Sequence, residues 1–252
     1  MITGIMGAMP QEIDSILPHM TEVTSTSSYR GRIYHTGKIN EHDIVLVFSR
    51  WGKVAAADTV GVLIEKFKIE QLIFTGVAGA TASELEIGDI VISDKLFYHD
   101  MDTRPLMPRY EVPLTGITFF KADATLVKQA QAATTDLFSS LSSMTTPEIL
   151  TRFNITTPKC VVGTIATGDK FIANKAHTDA IMADMPNTLA VEMEGAAVAQ
   201  VCTDAGVPFV VIRIISDKAD HKSAIDFPAF IDNISRHYSE HIVRNMPGCL
   251  RK

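Results

Sequence analysis

The sequence predicts an α/β fold: a three-layer α/β/α sandwich around a central mixed, largely parallel sheet. Two observations carry that prediction. Strand-like and helix-like patterns alternate along the chain, and runs such as LIFTGVA and PFVVIRIIS are apolar on both faces, as strands covered by helices on both sides must be. With 252 residues, 46% of them hydrophobic and 21% charged, the chain can build one large α/β domain or two small ones around a substantial core.

The elements follow in order. Residues 2–8 are a short apolar run, and the helix-compatible stretch from 10 to about 17 opens on Pro10, whose missing N–H costs nothing in a first turn. GRIYHTGKI and HDIVLVFSR, residues 31–39 and 42–50, read as a hairpin around Asn40 and Glu41. Apolar residues at spacings of three and four make 52–67 a helix. Residues 72–78 and 88–98 are strands, and 122 to about 137 is a helix. The Ser- and Thr-rich segment 134–158, with Pro147 and Pro158, reads as a loop or short-helix insertion. A β-branched strand at 160–167, a helix at 174–185 and a strand at 188–193 come next. They are followed by a small-residue helix at 195–205, the strand 208–216 and a closing helix within 227–245. No repeat or linker divides the chain, so residues 1–252 are expected to form a single domain.

Charge narrows the partners. A net charge of −6 without any Lys/Arg run argues against nucleic acid and anionic membranes, which reward clustered positive charge. The three cysteines, Cys160, Cys202 and Cys249, lack metal-like spacing and read as reduced, inert thiols. The start, MITGIMGAM, has no basic leader, and no window approaches the ~18 apolar residues of a membrane span. A soluble, cytoplasmic protein is expected.

In a sheet of this kind ligands collect at the carboxyl ends of the strands. There the sequence places Glu12 after the first strand, Thr75-Gly76-Val77-Ala78-Gly79 on the next buried one, and Gly168 to Ile172, Glu192-Met193-Glu194, Arg213 and Ser216-Asp217 on later ones. Acidic groups at three separate strand ends, beside glycines and one arginine, make an enzyme cleft. Taken singly, each acid is more simply a cap for the helix that follows. Their joint placement favours the cleft.

The motifs G-I-x-G-A-M-x-x-E, T-G-x-A-G, Y-H-D-x-D, G-D-x-F-I, V-E-M-E-x-x-A and R-x-I-S-D occur in one order along the chain. Together they resemble the bacterial 5′-methylthioadenosine/S-adenosylhomocysteine nucleosidases of the nucleoside phosphorylase superfamily, from residue 2 to the last helix. The resemblance implies a nucleoside phosphorylase-like fold and hydrolysis of an N-glycosidic bond to give adenine and a thioribose, in methionine salvage. It further implies a homodimer and a small-molecule nucleoside as the partner. No metal or organic cofactor is implied, because side chains supply acid, base and sugar stabiliser.

The resemblance also implies roles. Asp217, oriented by Ser216, matches the acid that protonates the purine. An acid working near neutral pH needs a raised pKa, which the apolar V-V-I-R-I-I setting favours. Glu12 matches the base that activates water, and Glu194 the carboxylate that binds ribose hydroxyls and favours positive charge on the ring. Glu192 joins the substrate-binding set, Met193 packs beneath the ribose, and Arg213 orients the Glu12 end. Phe171 and Ile172 serve the adenine, and Ala78 and Gly79 allow close backbone approach to the ligand. Met9 and Phe227 suit a thioether pocket.

The chain departs from the pattern at Val77, at Arg50-Trp51 and at Thr103 to Pro108. Arg50 or Arg104 could therefore meet a carboxylated tail, as in aminofutalosine. A phosphate-dependent phosphorylase and a non-catalytic adenosine-binding module are the competing classes. A carboxylate at Glu12, where phosphorylases carry a phosphate-binding arginine motif, speaks for water over phosphate.

Overall fold

β1 (Thr3–Gly7) runs into the short helix α1 (Pro10–Asp14), and β2 (Thr21–Tyr29), β3 (Arg32–Ile39) and β4 (His42–Phe48) form a meander before α2 (Lys53–Glu65). The architecture is that of a computed structural model describing residues 1–219 and 227–246, the side chains of 25–27 excepted. Next come β5 (Gln71–Ala80), β6 (Ile90–Tyr98), β7 (Phe120–Lys121), α3 (Ala124–Met144) and α4 (Pro147–Arg152). β8 (Cys160–Thr167), α5 (Lys175–Asp184), β9 (Thr188–Glu192), α6 (Gly195–Ala205) and β10 (Phe209–Asp217) complete the sheet region. α7 (Phe227–Phe230) continues through a π-helical turn, Ile231–Ser235, into α8 (Arg236–Asn245).

Parallel pairing sets β4, β1, β5 and β10 side by side, and separately joins β6, β8 and β9. Antiparallel pairing of β10 with β6 and of β9 with β5 links the two sets. The sheet thereby closes a five-stranded ring, β5–β10–β6–β8–β9, with β1, β4, β3 and β2 continuing as an open wing. Ring closure is a long-range pairing that local periodicity does not encode.

Successive strand residues face opposite layers, as the two-residue period requires. In β5, Leu72 and Phe74 pack in the core shared with Ala56, Val60 and Leu63 of α2 and Ala196 to Ala199 of α6. Ile73 faces the other core, with Leu126, Ala130 and Leu137 of α3 and Tyr238 and Ile242 of α8. Helices on both faces explain why β5 and β10 have no polar side.

Two segments differ from the sequence reading. The stretch predicted as a loop or short-helix insertion over 134–158 is helical to Met144, and α4 follows it. Leu137 and Leu141 extend the buried stripe begun by Leu126, Val127 and Ala130. The hydroxyls of Thr134, Thr135, Ser139 and Ser140 donate to carbonyls four residues earlier, at 2.8–3.0 Å, so they no longer compete with the helix. β2 was not expected: TEVTSTSSY has no apolar alternation, because this edge strand pairs with β3 alone. Cys160 and Cys202 are free, and burial pushes their thiols up to about 11 and about 12; Cys249 lies outside the described residues.

Candidate active site

The register of β5 against β10 builds the site. It sets Gly76 opposite Arg213 and Gly79 opposite Asp217, with a bulge between Ile215 and Asp217. One extra residue, Ser216, bends the end of β10 as bulges do. A cavity of about 440 Å³ opens over these strand ends. Every residue to which the resemblance gave a catalytic or substrate-binding role lines it, including Glu12, Glu194 and Asp217.

Glu12 lies in the first turn of α1 and is 1% exposed. Its Oε2 accepts from the amides of Ala8 at 2.6 Å and Met9 at 2.9 Å. The other oxygen faces β5: a Cβ on Gly76 would sit 2.9 Å from Oε1 and 3.1 Å from Arg213 Nη1. Only a bare backbone leaves both groups room. Burial raises the Glu12 pKa, and Arg213 together with amides of Met9, Ala8 and Val77 opposes the rise. A carboxylate held above its usual range is well placed to take a proton. Gly76→Ala is expected to keep the fold and lower kcat/KM about 10²-fold by displacing Glu12 roughly 1 Å. Circular dichroism beside steady-state kinetics checks it, and an unimpaired variant would show that Glu12 has slack.

Glu192, Glu194 and Arg213 form the second wall, and the sequence reading needs revision here. Glu192 lines the cavity, yet its oxygens are taken by protein: Arg213 Nη2 at 2.7 Å, the amides of Glu194 and Gly195, and the Thr167 hydroxyl. It anchors the start of α6 and the guanidinium; the substrate contact expected of it has no free oxygen. Glu194 precedes α6 but does not cap it. Its Oε1 accepts from the Gly52 amide at 2.8 Å instead. Burial, and then the charge of Glu192, raise the Glu194 pKa against the pull of Arg213. Arg213, 4.0 Å from the centre of the Phe74 ring, reaches Glu12 through charge, without a hydrogen bond. Together with Glu12, the site gathers three buried carboxyl groups around one cation, a negative bias that favours positive charge on a bound sugar.

At the far end, Asp217 Oδ2 accepts from Ser216 Oγ and Oδ1 from the Ala219 amide, both at 2.8 Å. A Cβ on Gly79 would approach Asp217 Oδ1 to 3.0 Å, so Gly79 is the close-approach residue at this end. Phe171 and Ile172 line the same end, Ile172 buried and Phe171 53% exposed, leaving an aromatic face free at the mouth. Met9, Met193, Ala78 and Phe227 complete an apolar lining.

Three comparisons bear on this arrangement. The family model described as "Phosphorylase superfamily" matches residues 2–245. A 5′-methylthioadenosine/S-adenosylhomocysteine nucleosidase of Geobacillus sp. is 35% identical over 250 residues, covering 99% of each chain. The chain belongs to this nucleosidase family of the phosphorylase superfamily.

Family members of known structure share the fold across their length. The S. pneumoniae nucleosidase, solved with the transition-state inhibitor MT-ImmA, superposes with a TM-score of 0.83 at 36% identity, covering 98% of both chains. The Colwellia psychrerythraea enzyme, solved with adenine, gives 0.86 at 34% identity over 99% of this chain and 96% of its own. The nucleoside phosphorylase-like mixed sheet with flanking helices is thus the family's fold.

Other cavity residues escaped the sequence reading of the site. Trp51, noted in the sequence as a departure from the family pattern, stands 63% exposed at the rim, whereas Lys170 carries no distinctive spacing signal. Thr167 lies behind the lining, where it bonds Glu192 and accepts from the Ala196 amide at 2.8 Å; in sequence it is one of many strand threonines. Arg50 and Arg104, considered for a carboxylated tail, are absent from the lining: Arg50 donates to the Gly31 carbonyl at 2.7 Å and Arg104 pairs with Asp102. Among the described residues, no group of three or more His, Cys, Asp or Glu side chains could hold a metal ion.

Proposed function

We propose that the chain hydrolyses the N-glycosidic bond of 5′-methylthioadenosine and S-adenosylhomocysteine, releasing adenine and the 5-thioribose product for methionine salvage. The register of β5 on β10 is the observation that carries this reading. It holds Glu12 at Gly76 and Asp217 at Gly79, three residues apart along one strand. Three strand residues cover about 10 Å. That span accommodates a hydrogen bond of about 2.8 Å to a base at one end and a water at the other, poised about 3–3.5 Å from the sugar carbon.

The steps balance. Asp217 gives its proton to N7 of the purine, and the electron pair of the C1′–N9 bond leaves with the base. Water adds its oxygen to C1′ from the opposite face and yields its proton to Glu12. Glu194 holds the ribose hydroxyls and its charge stabilises the cationic ring. Proton exchange with solvent then resets Glu12 and Asp217.

The alternatives fit less well. Phosphate needs an unpaired cation near the sugar, but Arg213 is bonded to Glu192 and shares its surroundings with the carboxyl group of Glu12. An aminofutalosine tail needs a cation that neither Arg50 nor Arg104 supplies within this chain. Adenine release from methylthioadenosine, S-adenosylhomocysteine and aminofutalosine, with and without phosphate, tests the proposal. Phosphate-independent release from the two thioethers is expected; strict phosphate dependence would overturn it.

A cytoplasmic homodimer remains part of the proposal. No helix among the described residues is long and apolar enough to cross a membrane. Trp51, Val54, Leu106 and Leu114 leave large apolar side chains exposed, which a second copy of the chain would cover.

A further inference from the structure

We infer that Lys53, Asp100 and Asp169 form a positioning clasp that sets the base loop, residues 168–172, against the ribose carboxylate Glu194. The inference rests on the nucleosidase reading and adds three positioning residues to it. Two consecutive amides at the start of α2 face the two halves of the site. The Gly52 amide donates to Glu194 Oε1, and the Lys53 amide donates to Asp169 Oδ1, each at 2.8 Å. The Lys53 side chain then closes a triangle. Its Nζ donates to Asp100 Oδ1 at 2.8 Å and Oδ2 at 2.7 Å, and lies 3.6 Å from Asp169 Oδ2. The Asp169 amide donates to Asp100 Oδ2 at 3.0 Å. Each member touches the other two.

These contacts tie together the chain after β4, after β6 and after β8, which share no sheet hydrogen bonds at these residues. Phe171 and Ile172 follow Asp169 by two and three residues and line the cavity. The loop is held at its start by the Gly168 amide on the Glu192 carbonyl and at its end by buried Ile172, and the clasp adds a restraint between them, next to half-exposed Phe171. As a source of stability the cluster is weak, because Lys53, Asp100 and Asp169 are 23%, 29% and 50% exposed and solvent-screened pairs contribute little. As a means of orientation it is specific: two backbone amides and one ammonium fix the distance from Glu194 to the base loop.

Lys53→Met and Asp169→Ala test it, each measured for methylthioadenosine hydrolysis, adenine affinity by calorimetry, and thermal melting. Each variant should raise KM and the adenine Kd roughly tenfold, as loss of charge-assisted hydrogen bonds predicts. kcat should stay within about threefold, since binding is lost equally from ground and transition states. Melting should move by no more than a few degrees. The double variant should lose little beyond either single one, because the two share one device, and Lys53→Arg should recover most of the affinity. Unchanged KM and Kd in both variants, or losses that multiply in the double, overturn the clasp. A wild-type chain that releases no adenine from any nucleoside instead removes the functional reading, and the clasp's role with it. A wild-type chain that turns over the nucleoside, with KM and adenine Kd unchanged in Lys53→Met and Asp169→Ala, removes the clasp alone.

Discussion

Glu12→Gln is expected to lower kcat about 10²–10⁴-fold while leaving KM near its wild-type value. The substitution changes one heavy atom in a side chain that is almost wholly enclosed. An amide oxygen can still accept from the Ala8 and Met9 amides that hold Oε2, so the first turn of α1 has no reason to unwind. What the amide cannot do is take a proton from water. The pH profile separates this cause from a loss of shape. Burial holds the Glu12 pKa above its ordinary value of 4.5, and a base works only when ionised. Wild-type kcat/KM should therefore fall on acidification at a pH above the usual carboxylate range. The residual rate of the Gln variant should lose the Glu12 part of that limb and keep the part due to Glu194, whose pKa is also raised and whose charge is also needed. Near-normal turnover by Glu12→Gln would assign the base elsewhere.

Asp217→Asn is expected to cost a similar factor, about 10²–10⁴ in kcat, through loss of the proton that purine departure requires. The fold should survive. Oδ1 can go on accepting from the Ala219 amide, and the new amide nitrogen would face Ser216 Oγ, which can reverse and donate to the Ala78 carbonyl 3.4 Å away. A riboside with a 4-nitrophenolate leaving group supplies the control, because that group departs without protonation. Its hydrolysis should be nearly insensitive to Asp217→Asn yet remain sensitive to Glu12→Gln. Equal losses on both leaving groups would show that Asp217 positions the ligand and does not protonate it.

Much of the fold was legible because it rests on local pattern. PFVVIRIIS could only be a strand covered on both faces, and β10 is buried throughout. The helices 53–65 and 195–205 followed from apolar spacing and small residues. What stayed hidden depends on partners distant in sequence. β2 is a strand because β3 offers it an edge, and the ring closes because β10 and β9 reach β6 and β5. Ser/Thr composition concealed the second half of α3, where hydroxyls bond back to the helix itself.

The site divides along the same line. Which carboxylates share one cavity could be read from their order along the chain, since each sits at or just after the carboxyl end of a strand. The tasks of Glu192 and Glu194 could not, because one residue between them decides which caps α6. Glu192 turns back to the Gly195 amide, whereas Glu194 reaches the Gly52 amide across the cleft. No spacing rule distinguishes those two directions.

The stretch of β5 from Gly76 to Gly79 also bears on how such a chain can change its length. Removing or adding a single residue there would alter the gap between proton donor and proton acceptor by about 3.3 Å and turn every later side chain of the strand to the opposite layer. Glu12 packs on Gly76 from α1 and Asp217 on Gly79 from β10, so a change of length in β5 moves one of them against the other. Insertions that lengthen the chain belong in surface connections such as the turn between α3 and α4, whereas the four residues from Gly76 to Gly79 tolerate neither gain nor loss.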